Sequence, residues 1–195
     1  MIIPANKNVN LNPSQQDMKE LQYLYNSKEF SVLESKSREL LKKYKKSVEL
    51  QNILGVALSV QWKSNYAIEI FENIIKIQPN FYFAYNNMGN ALKDLCRLDE
   101  AKIYYQKCIK INPDYIDAYI GLGKIFLDFN KLDESAAVFK QALKLKPENG
   151  ELHRRLSQVI KYEQTSSHVK DMEKIILNSD SSHNQQMHLS FALGK

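Results

Sequence analysis

The chain has 195 residues, 44% of them hydrophobic and 25% charged, with a formal net charge of +5. That length suits one ordinary domain or about four to five helical repeats, and the apolar content excludes wholesale disorder. The positive charge is a mild excess, not the concentrated basic stripe of a nucleic-acid binder, and much of it falls in residues 14–47, with eight Lys/Arg against five Asp/Glu.

Residues 1–13 are Asn-rich, carry two prolines and show no periodicity, so they read as a disordered leader. They lack the apolar run of a signal peptide, and no later segment is long and apolar enough to span a bilayer. Two cysteines, Cys96 and Cys108, are too few for a disulfide framework. The expected setting is a reducing cytoplasm.

Three prolines, Pro79, Pro113 and Pro147, each stand 34 residues after the last. Gly55, Gly89 and Gly123 share one position in this period, Ala67, Ala101 and Ser135 a second, and Phe71, Tyr105 and Phe139 a third. A fixed period of this size marks stacked supersecondary units, none of which buries its apolar face alone. Within each unit the apolar spacing predicts two helices. Residues 48–149 hold three good units, with small residues expected where paired helices cross closest and Trp62, Cys96 and Asn130 expected at the bends. Ser64 or Asn65 is the predicted cap of the second helix in the first of them.

Residues 14–47 keep the register in a degraded form. Leu21 and Leu33 replace small residues, which predicts a looser helix crossing, and Lys45 stands in the proline's place. The run from Lys42 to Lys46 closes a helix, where lysines complement the helix dipole. After Asn149 the pattern loosens. Residues 150–164 give one helix, Val169–Asn178 a second, and Leu193-Gly194 falls in the first helix of an incomplete unit. The expected organisation is therefore a leader (1–13), a degenerate repeat (14–47), three repeats (48–149) and irregular helices with an incomplete repeat (150–195). The seam Phe191-Ala192-Leu193 is expected to be exposed, a route to self-association.

YNNMGNAL followed by RLDEAKIYYQKCIKINP, and YIGLGKIF followed by KLDESAAVFKQALKLKP, resemble the tetratricopeptide repeat. The resemblance implies an all-α superhelix of antiparallel hairpins, in which first helices line a concave groove that grips a protein or peptide. By that resemblance the groove residues are Asn52, Asn86, Asn90, Lys124, Arg154 and Gln158, with Asn87 matching the asparagine that holds peptides in O-linked N-acetylglucosamine transferases. The groove would grade from neutral at Asn52 to basic at Lys124 and Arg154, which suits a peptide with an acidic end. Residues 151–195 are also similar to the bacterial junction where such repeats precede a sulfotransferase domain. That likeness implies the alternative of a substrate-positioning part of a longer enzyme.

No HExxH, GxxxxGK[ST], GxSxG or GxGxxG motif is present, so no catalysis and no cofactor are expected of this chain. His153, His168, His183 and His188 show no i,i+4 pair and no spacing suited to zinc, so no metal site is expected. Neither nucleic acid nor membrane is an expected partner.

Overall fold

The computed structural model describes residues 12–160, 167–177 and 182–193, so the predicted leader lies almost wholly outside the described residues. Those residues form eleven α-helices and no strand. The chain divides into two compact units, Met1–Cys96 and Arg97–Lys195.

The first unit holds α1 (Gln15–Asn26), α2 (Phe30–Lys43), α3 (Val48–Val60), α4 (Ser64–Ile77) and α5 (Tyr82–Asp94). Helix α1 starts at a reciprocal cap. Ser14 Oγ accepts from Asp17 N–H at 3.1 Å, and the Asp17 carboxylate accepts from Ser14 N–H at 3.1 Å. Ser47 opens α3 in the simpler way, its hydroxyl oxygen accepting from Leu50 N–H at 3.3 Å. Helix α4 does not use the predicted cap. Its cap residue is Lys63, which makes no side-chain cap bond, and Ser64 is already helical and buried. The cause is the bend. Trp62 takes φ 63°, and Lys63 N–H donates back to Leu58 O at 3.0 Å, so one left-handed residue reverses the chain and α4 begins at once.

The same bend recurs at Lys28 (φ 60°), Cys96 (φ 59°) and Asn130 (φ 56°), each 34 residues from its neighbour in the series. The degraded first segment thus keeps the backbone of the regular ones. Trp62 is 85% exposed at its bend.

Packing explains the period's residue types. In α3–α4 a Cβ built on Gly55 would lie 2.5 Å from Phe71 Cε1, so the glycine is the seat of a fully buried ring. In α1–α2 the corresponding residues are Leu21 and Ser37, both buried. The large and small members have changed places. As predicted, α1 and α2 pack less extensively than α3 and α4 do. Leu21, Leu24, Leu33, Leu40 and Tyr44 form one apolar cluster with Leu50 and Ala57 of α3. The basic run ends α2 as expected, but its Tyr44 turns inward while Lys43 Nζ sits 4.8 Å from the ring centroid.

The second unit holds α6 (Leu98–Ile111), α7 (Ile116–Asp128), α8 (Leu132–Leu145), α9 (Gly150–Ser157), α10 (Ser167–Leu177) and α11 (His183–Leu193). Gly123 seats the Phe139 ring, and Gly121 seats the Tyr105 ring. Ser135 Oγ donates to Gly123 O at 2.9 Å, tying α8 to α7 at their crossing. Cys108 is buried and Cys96 exposed. Helices α4, α6 and α8 each stop two residues before a proline, which cannot continue the turn and biases its predecessor away from helix.

The end of the chain departs from the simple repeat. Helix α9 spans only eight residues, and its chief partner is α11, not the next helix in sequence. Gln185 Nε2 donates to Glu148 O at 2.8 Å, and the backbone of Gln185 lies where a side chain on Gly150 would go. Helix α11 buries Leu189 and leaves Phe191 69% exposed, whereas Ala192 and Leu193 of the expected seam are only part-exposed. Gly194 lies outside the described residues.

Candidate functional site

The expected binding residues fall into two sets, one in each unit. In the first unit, α3 contributes Asn52 and α5 contributes Asn86, Asn87 and Asn90. The structure joins three of them. Asn87 Nδ2 donates to Asn52 Oδ1 at 2.9 Å, and Asn86 Nδ2 lies 3.4 Å from Asn87 Oδ1. Asn90, one turn beyond Asn86, is exposed.

Asn86 differs from expectation. It is only 4% exposed, so it supports its neighbours from below and does not offer itself to a ligand. Its Oδ1 is buried and has no hydrogen-bond partner among the described residues. Ala84, Tyr85 and Asn86 are all buried, so the inward side of α5 takes in position 86 as well. Ile53, at the place equivalent to Asn87, packs against the apolar cluster of the first hairpins, so the amide row stops at Asn52.

In the second unit, α7 contributes Lys124 and α9 contributes Arg154, with Gln158 exposed at the α9 C-cap. These cations gather around Glu151. Arg155 donates to Glu151 Oε1 at 3.0 Å through one terminal nitrogen and at 3.3 Å through Nε, while Arg154 stands 3.8 Å away. Burial pushes the Glu151 carboxyl upward, but the bond and charge of Arg155, with the charges of Lys124 and Arg154, hold it below the ordinary glutamate value. Three cations share one carboxylate here. Arg154 Nε is buried and unpartnered among the described residues.

Two features escaped the sequence reading. Tyr85 OH donates to Pro79 O and Tyr119 OH to Pro113 O, each at 2.9 Å, so the repeating aromatic locks the loop before it. The histidines, scattered in the sequence, include one pair in direct contact, His153 and His168. No group of three or more metal-ligating side chains occurs among the described residues, nor does any helix long and apolar enough to cross a membrane.

Comparison with known proteins agrees with this architecture. Residues 82–115 match one sequence model of the tetratricopeptide repeat and residues 116–149 match another. Neither reaches residues 150–195, on which the likeness to a sulfotransferase junction rests. Among solved structures, a thermophilic TPR protein of Thermus thermophilus is similar with a TM-score of 0.72 at 17% identity, over 93% of this chain and 99% of that one. MamA of Desulfovibrio magneticus RS-1, in a form running from its residue 41, gives 0.64 at 18% identity over 86% and 97%. No curated protein matches the chain in sequence. The chain carries tetratricopeptide repeats in an all-α fold of that type, and such repeats are generally protein–protein interaction modules.

Proposed function

We propose that this chain, as a carrier of tetratricopeptide repeats, is a non-catalytic interaction module that binds a partner protein through an extended, acid-bearing peptide. The observation that carries the reading is the amide couple of Asn87 and Asn52, which puts side-chain donors and acceptors from two helices on one face. An amide offers both roles, so it pairs with a peptide main chain whatever the side chain. Taken by itself, the second unit offers the cations around Glu151, which suit acidic side chains or a terminal carboxylate.

Selection from a displayed library of random dodecapeptides tests it. The wild-type chain should enrich peptides rich in Asp and Glu, and Lys124→Glu should abolish that bias. An enriched set without acidic residues, or one unaltered by Lys124→Glu, would reject the assignment.

A further inference from the structure

His153 stands one repeat after Tyr119 and takes over its task. Its Nε2 lies 2.6 Å from Pro147 O, as the tyrosine hydroxyls lie against Pro79 O and Pro113 O. A carbonyl oxygen only accepts, so Nε2 carries the proton and Nδ1 is left with a lone pair. That lone pair faces α10, where His168 Nε2 is 2.5 Å away. The ring planes are 22° apart and the centroids 4.7 Å apart. So short a nitrogen contact at that centroid spacing means the imidazoles meet edge to edge. The bond requires one proton between the rings, held by His168 Nε2. If His153 Nδ1 is also protonated, two N–H groups face each other.

We propose that the His153–His168 couple is a pH-sensitive latch, holding α10 to α9 while the facing nitrogens share one proton and releasing it on acidification. The surroundings oppose a second charge. His153 is 3% exposed, and burial pushes both imidazoles below the ordinary histidine value, His168 to about 4 with the charge of His153 adding to the effect. From α8, Lys140 works in the same direction on His168, while Asp171, on α10 itself, favours the charged forms of both. On α9, Glu151 is taken up by Arg154 and Arg155. From α11, His188 lies beside Gly150. Helix α10 also packs on α11, and the couple is a polar tie between it and α9.

The direction follows from linkage. Docked α10 binds protons more weakly than released α10, so docking is at full strength above the free histidine value near 6.5 and weakens as pH falls towards about 4. The bond itself breaks when His153 Nδ1 takes a proton; for His168, whose value of about 4 includes the charge of His153, moving from about pH 7.5 to about pH 5 should weaken docking by at most about 30-fold.

Hydrogen exchange of the full chain, corrected for intrinsic rates, reads this out. Over that pH interval wild-type protection in 167–177 should fall, by up to about 30-fold, while 116–145 stays constant. His153→Tyr with His168→Phe, which restores the tyrosine bond to Pro147 and removes both titrating rings, should flatten the response. A wild-type segment indifferent to pH, or an equal loss in the double variant, would overturn the latch. Imidazole nitrogen shifts give an independent reading in wild type: both rings should titrate below about 6.5, and titration of either at or above that value would also overturn it.

Discussion

Hairpins α1–α2 and α3–α4 share a left-handed bend and a register, yet they fill their crossings in opposite ways. In the second, a glycine on the first helix receives a phenylalanine from the other (Gly55 and Phe71); in the first, a leucine faces the place of a serine (Leu21 and Ser37). The lesson is that the repeat is defined by where the backbone reverses and by the combined volume at the crossing. Which helix supplies the bulk is secondary. The first crossing also has a less extensive contact and a buried Ser37 hydroxyl without a partner among the described residues.

Substitution at equivalent places should expose that difference. Phe71→Ala removes a fully buried ring and should cost about 3–5 kcal/mol, whereas Ser37→Ala, which deletes an unpaired hydroxyl, should move stability by less than about 1 kcal/mol. Equal shifts in thermal melting would show that the two crossings do not differ as described. Next in size is the exchange itself. Leu21→Gly should cost about 3 kcal/mol or more through cavity and helix propensity. Adding Ser37→Phe should return about 1–3 kcal/mol of that loss. Strict additivity in chemical denaturation would deny that the pair is coupled.

Smaller effects belong to the bends, which the hairpins share. Trp62→Gly relieves a left-handed conformation at an exposed residue and should raise stability by about 1 kcal/mol. Asn130→Gly should gain only a few tenths, roughly, since asparagine tolerates that region. A destabilised Trp62→Gly protein would mean the ring makes contacts that its exposure denies. The smallest effect is electrostatic. Lys63 Nζ lies 2.8 Å from Glu34 Oε2, and this bond, against the opposing pull of desolvation and with help from Arg38 and Gln61, holds the Glu34 carboxyl below 4.5. Its contribution is present above that value and lost as pH falls through the lowered one. Glu34→Gln should therefore flatten the acid limb of the stability curve slightly, and an unaltered limb would remove Glu34 from the account.

What the sequence made legible is what acts locally at a fixed spacing. The prolines, the bends at 62, 96 and 130, and the small residues at crossings each impose a conformation on a few neighbouring residues, so period alone reveals them. The looser first crossing was legible from Leu21. The compensating Ser37 could have been found by carrying Phe71 back one period. Other features needed three dimensions. The burial of Asn86 depends on how α5 is rotated, and two asparagines side by side in sequence do not reveal which one faces inward. The cap at Ser64 failed because a single left-handed residue leaves no room for a separate capping position. The contact of His153 with His168 joins helices across a stretch with no periodic signal, and the pairing of α9 with α11 skips a helix altogether.

The reading of the chain as a peptide-binding module depends most directly on the amide couple of the first unit. The measurement is a calorimetric titration of the most enriched library peptide into wild type and into Asn87→Ala, with circular dichroism confirming equal helicity. Loss of a main-chain-pairing amide should weaken binding about tenfold, near 1.4 kcal/mol. An unchanged Kd would contradict the account.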